Sequence, residues 1–157
     1  MFSSPVLSCF LILAIIALTY PAIAMAEGQS KVEIIAVDDI SKFKNIPHGA
    51  ALIPLRGQQT RGSFSYTVGQ RVSNDRIVSQ GADSTTWNSP QNVRLNLQYP
   101  ANGIGAKITF VKIDVIQGSE QGQAYIVSGG IGQTTIVIAV EAYNVRNFSY
   151  AYNIWGM

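Results

Sequence analysis

The sequence is poor in the residues that most often build reactive sites. Its 157 residues include one cysteine, Cys9, and one histidine, His48. A disulfide framework, a thiol redox site and a zinc site built on cysteine and histidine all need more of these residues. The sequence therefore argues against an enzyme, and we expect neither a metal ion nor another cofactor.

Charged residues are also few, and they are spread along the chain. They make up 13% of the sequence, the formal net charge is +2, and no run of five like charges occurs. Direct nucleic-acid binding usually shows as a cluster of basic residues, so we expect no direct contact with nucleic acid. With 47% apolar residues, a chain of this length is typical of one globular domain with its own core.

A short apolar run lies near the start of the chain. Residues 6–18 read VLSCFLILAIIAL, which is shorter than the roughly 20 residues that a membrane-spanning helix needs. The small residues Ala24 and Ala26 follow, at the spacing that signal peptidase recognises. We predict that residues 1–26 are a signal peptide, that the protein is secreted, and that no membrane span remains after cleavage. A buried N-terminal helix is the alternative.

The remaining chain divides into two regions. Residues 27–55 are mixed, and we interpret them as an N-terminal extension in which residues 32–37 are typical of a strand. Proline at positions 47 and 54 prevents a long helix there. In residues 56–157, short apolar runs alternate with turn-forming residues, as between Pro100 and Gly103.

This second region predicts an all-β domain. Val93, Leu95, Leu97 and Tyr99 alternate with polar residues, which indicates a half-buried strand. The next apolar run is residues 107–116, in which Lys112 and Asp114 are two positions apart and so share one face of a strand. We predict that they form an ion pair at the surface. We expect an antiparallel β-sandwich or barrel of about seven short strands, with the last turn at residues 144–147.

Few residues are candidates for catalysis or for covalent modification. His48 is the only candidate for a catalytic triad, and no nucleophile-elbow motif accompanies it. Glu141 lies near Tyr143 on the strand expected to be central, where burial would raise the pKa of its carboxyl group; the alternative is an exposed strand end. No catalytic residue is assigned. Asn147-Phe148-Ser149 is an N-glycosylation sequon at the predicted turn, which indicates a glycoprotein.

The segment GGIG at residues 129–132 lies between two predicted strands. A phosphate-binding loop leads into a helix, and the Walker type adds a lysine, but neither feature follows here. We therefore expect a glycine-rich hairpin rather than a phosphate site.

The same segment resembles a known family. The runs AYIVSGGIG at residues 124–132 and YNIWG at residues 152–156 are similar to those of the arthropod multiprotein bridging factor 2 family. The resemblance covers residues 56–157, although Trp155 stands where the family usually has tyrosine. The motif positions are Tyr125, Ser128, Gly129, Gly130, Gly132, Trp155 and Gly156.

The resemblance implies one of two functions. The family is named for transcription activators that bridge a DNA-binding factor to the general transcription machinery. Many members nonetheless carry secretory leaders and resemble haemolymph or salivary proteins. Because the leader pattern is independent of the family name, the sequence favours a secreted, non-enzymatic protein of haemolymph, salivary or signalling type. It would bind a protein or a small-molecule ligand; transcriptional co-activation is the alternative.

Overall fold

The computed structural model describes residues 28–39, 53–60 and 62–157. Residues 1–26, with Cys9, Ala24 and Ala26, lie outside this described part, as does His48. The described residues form eight β-strands and no helix. The strands are β1 Lys31–Val37, β2 Ile53–Pro54, β3 Arg56–Thr60, β4 Ser63–Gly69, β5 Arg76–Tyr99, β6 Ile108–Gln117, β7 Gly122–Gly129 and β8 Ile136–Gly156.

All eight strands belong to one antiparallel sheet, which confirms the all-β prediction. Strands β5 and β8 pair along their length and form its centre. Beyond the second half of β8 the sheet continues through β6, β4 and β3; beyond its first half it continues through β7 and β2. Strand β1 pairs with the second half of β5, so the predicted strand at residues 32–37 is confirmed and joins the same sheet.

Two strands are much longer than the sequence indicates. Strand β5 has 24 residues and β8 has 21. The turn predicted at residues 144–147 is wrong, because Asn144 adopts a φ of 56° and β8 continues beyond it. Nearby, the pairing of β5 with β8 shifts register between Thr86 and Val93. Such irregularities bend a strand without ending it, so both strands pass from one half of the sheet to the other.

Both halves of the sheet bury side chains in one core. The alternating residues Val93, Leu95, Leu97 and Tyr99 are at most 1% exposed, as the half-buried strand predicts. They share a hydrophobic cluster with side chains from the other half of the sheet, so the sheet folds over a single core. These partners include Phe64, Val111, Ile113, Val115, Phe148, Tyr152 and Ile154.

Candidate functional site

Three loops and the last residues meet at one end of the folded sheet, which we call the loop end. The loops join β4 to β5, β5 to β6 and β7 to β8. The amide of Ile108 donates to the carbonyl of Gln133 at 2.8 Å, and its own carbonyl accepts from the amide of Gly132 at 2.7 Å. Lys107 and Met157 exchange two backbone hydrogen bonds of 3.0 Å. Loops fixed on a rigid sheet are common places for binding residues.

The loop end carries an apolar groove of about 350 Å³. Val72, Ile131 and Met157 line it, although 44%, 39% and 57% of their respective surfaces are exposed. Among the described residues that line this groove, Lys107 is the only one with a charged side chain. A concave apolar surface with few polar groups is the usual form of a ligand site. The complete lining is Gly69, Gln70, Val72, Lys107, Ile108, Thr109, Ile131, Gly132 and Met157.

Asp75 fixes the loop that carries Val72. Its carboxylate accepts hydrogen bonds from Arg71 Nε at 2.9 and 3.0 Å, and from the Val72 amide and Thr109 Oγ1 at 3.0 Å each. The hydrogen bond from Arg71 lowers the pKa of Asp75 to about 2. The Arg71 guanidinium in turn lies 4.7 Å from the ring centre of Trp155, a favourable cation–π distance. The motif residue Trp155 thus supports one wall of the groove.

The motif glycines form the hairpin that the sequence predicts. Gly129, Gly130 and Gly132 have φ angles of 70°, 152° and 81°, which disfavour other residues. The amide of Gly130 donates to the carbonyl of Thr135 at 3.0 Å, and β7 and β8 pair on either side. Because a strand rather than a helix follows, this turn lacks the helix N-terminus of a phosphate-binding loop. It places Ile131 at the groove.

Glu141 lies at the centre of a second polar feature, on the face of the sheet opposite the core. Arg94 donates two hydrogen bonds to Oε1 of Glu141, one from Nε at 3.0 Å and one from Nη2. Oε2 accepts from Gln123 at 3.0 Å, from the hydroxyl of Tyr125 at 3.2 Å and from the hydroxyl of Tyr143. The carboxylate is buried, with only 5% of the residue exposed. It therefore joins β5, β7 and β8 across the sheet.

The protonation of this cluster follows from its hydrogen bonds. Burial raises the pKa of Glu141, but hydrogen bonds from Tyr143, Arg94 and Gln123 outweigh burial, and the net pKa is lowered. The sequence left burial and an exposed strand end open for Glu141, and it did not show the hydrogen-bond donors that reverse the effect of burial on the pKa. Burial, together with Glu141, raises the pKa of Tyr143 to about 12. The cluster therefore holds an ionised carboxylate among neutral tyrosines and one arginine, and its hydrogen bonds link three strands of the sheet.

The other predicted positions lie apart from the groove. Lys112 and Asp114 form an ion pair of 2.8 Å with about 40% of each side chain exposed, as their shared face predicts. Asn147 lies within β8 opposite Thr86 and is half-buried, rather than in a turn. Its glycosylation stays a prediction. Of the remaining motif residues, Ser128 is exposed at the end of β7.

Within residues 28–39, 53–60 and 62–157, no group of three or more His, Cys, Asp and Glu side chains could hold a metal ion. No helix in that part of the chain is long and apolar enough to cross a membrane.

Comparison with known protein families shows to which family the chain belongs. A family model described as "Transcription activator MBF2" matches residues 68–156, which is more than half of the sequence. The chain belongs to the MBF2 family. No curated protein and no solved structure matches it. The MBF2 match includes strands β5 to β8 and every groove residue except Met157, whereas strands β1, β2 and β3 precede it.

The sequence did not identify the groove as a site. Part of the groove was visible in the sequence, because Val72 and Ile131 are large apolar residues within turn segments, where such residues are usually exposed. Their convergence depends on three loops that are far apart in the chain. Five of the motif residues of the resemblance, Gly129, Gly130, Gly132, Trp155 and Gly156, nonetheless lie at the same loop end as the groove.

Proposed function

We propose that this MBF2-family chain is a secreted, non-enzymatic extracellular protein that binds a ligand at its loop end. The observation that carries the binding part is the apolar groove. Val72, Ile131 and Met157 stand exposed on segments that hydrogen bonds hold in place, so the groove exists before any ligand arrives. Removing such apolar surface from water favours binding.

The extracellular part of the proposal rests on the sequence. Residues 1–26 have the apolar run and small residues of a signal peptide. The resemblance to secreted arthropod proteins supports a role of haemolymph, salivary or signalling type in an arthropod. The sequon at Asn147 adds the expectation of a glycan.

Substituting Ile131→Asp is expected to weaken binding of an uncharged apolar dye, Nile red, by about tenfold or more. The loss of a buried aliphatic contact is worth about 1.5–3 kcal/mol, and about 1.4 kcal/mol corresponds to tenfold in affinity. Fluorescence titration of the purified full chain measures the change.

Ile116→Asp is the matched control. Ile116 is 59% exposed, but it lies at the opposite end of β6 from the groove, paired with Ser63 and Ser149. We expect this variant to bind the dye like the wild type. If both variants bind equally well, or both lose binding to the same extent, the groove is not the binding site.

The family description favours a second candidate function, transcriptional co-activation. The chain would then bridge a DNA-binding factor to the general transcription machinery inside the nucleus. This requires that the apolar run at residues 6–18 is bypassed or retained. Nuclear staining of the untagged native chain would favour the second candidate over the first.

A further inference from the structure

We infer that the apolar groove takes an amphipathic anion, namely an aliphatic chain of medium length with a carboxylate head, and that Lys107 binds the head. This inference rests on the proposed function, because it names the ligand class of the same site. It depends on three observations: the shape and lining of the groove, the charges around it, and the fixed position of Lys107.

The lining suits an aliphatic chain. Ile108 forms a fully buried floor, while Val72, Ile131 and Met157 stand exposed around it. No aromatic side chain takes part among the described lining residues, so the groove offers no stacking partner for a flat ring system. Its volume of about 350 Å³ falls at the small end of the range of small-molecule sites, about 300–1,000 Å³.

The charges around the groove favour an anion. The three loops and the adjoining strand ends, residues 69–76, 100–109 and 129–135, contain three basic side chains and one acidic side chain. The acidic one, Asp75, already accepts hydrogen bonds from Arg71, Val72 and Thr109. Lys107 is the only charged side chain in the described lining, so a carboxylate that enters the groove meets a cation and no acidic side chain there.

Lys107 is well placed to bind such a head. Its two backbone hydrogen bonds with Met157 hold the start of its side chain beside the groove. In the described part of the chain, the ammonium group of Lys107 forms no ion pair, whereas Lys112 is paired with Asp114. The long lysine side chain can extend along apolar surface and present its ammonium group at the rim. An uncharged alcohol of equal chain length would lose this contact.

The test compares decanoate with decanol, both below the concentrations at which they aggregate. Isothermal titration of the purified full chain should show decanoate binding about twofold to fivefold more tightly, the range expected for one exposed charge contact. Lys107→Gln should abolish this preference, so that decanoate and decanol bind with about equal affinity. The matched control Lys112→Gln should retain the preference of the wild type.

The outcomes separate this inference from the proposed function. If decanoate and decanol bind equally to the wild type, or if Lys107→Gln keeps the preference, the assignment of an anion is wrong. Failure of both probes to bind, while Nile red binding remains sensitive to Ile131→Asp, overturns the ligand class but leaves the groove as a binding site. Decanoate affinity that is unaffected by Ile131→Asp contradicts both proposals.

Discussion

Substituting Gly129→Ala is expected to lower the free energy of unfolding by about 3 kcal/mol or more, or to prevent folding. A Cβ at this position would lie 2.1 Å from the carbonyl oxygen of Thr135, a backbone atom that cannot move aside without breaking the hairpin. The residue also has a φ of 70°. The left-handed conformation costs alanine about 1–2 kcal/mol, and overpacking adds about 1–3 kcal/mol. Urea unfolding followed by tryptophan fluorescence measures the change.

Gly132→Ala in the same turn separates these two effects. Gly132 has a similar φ of 81°, but no atom lies within 4 Å of a Cβ built there. This variant should therefore lose only about 1–2 kcal/mol from the backbone conformation. Because Gly129 closes the hairpin that carries Ile131, any folded Gly129→Ala protein should also bind Nile red more weakly. Equal losses of stability in the two variants would contradict the clash with Thr135.

The second large effect is expected at Glu141. Substitution by alanine removes the buried carboxylate that pairs with Arg94 and accepts from Gln123, Tyr125 and Tyr143. Removing one partner of a buried ion pair typically costs about 3–5 kcal/mol. Asp114→Ala is the control, because Asp114 is in an exposed pair with Lys112, and should cost about 1 kcal/mol or less. Similar losses in both variants would show that the cluster adds no special stability.

The pH dependence of stability tests the same cluster. The folded pKa of Glu141 is lowered, so its contribution is complete above the ordinary pKa of glutamate and is lost as the pH falls through the folded pKa. The difference in unfolding free energy between the wild type and Glu141→Gln should therefore shrink between neutral pH and about pH 3. A difference that stays constant over this range would mean that Glu141 is not held ionised by its neighbours.

Local pattern was enough to predict most strands of this fold. The alternation at Val93, Leu95, Leu97 and Tyr99 indicated which face is buried, and all four residues lie in the core. Residues two apart in a strand share a face, so the ion pair of Lys112 and Asp114 also followed from spacing alone. The glycine hairpin was predictable because a short glycine-rich segment between two strands usually forms a tight turn.

The features that could not be predicted from the sequence depend on contacts between strands and loops that are far apart in the chain. The polar run at residues 144–147 has the composition of a turn, but β8 is paired through Asn147 with β5 and bends instead. The donors around Glu141 come from positions 16, 18 and 47 residues away in the chain, besides Tyr143. The groove likewise needs three loops to converge. Such contacts depend on strand order, which composition and periodicity do not encode.

The most direct test of the account is the fate of the full-length chain in insect cells. We expect protein in the medium that begins at Glu27, or at Met25 if cleavage follows Ala24, as shown by N-terminal sequencing and intact mass. A further mass increase that Asn147→Gln removes would establish the glycan. Protein that remains in the cells with Met1 and Cys9 intact would contradict secretion and favour the co-activator function.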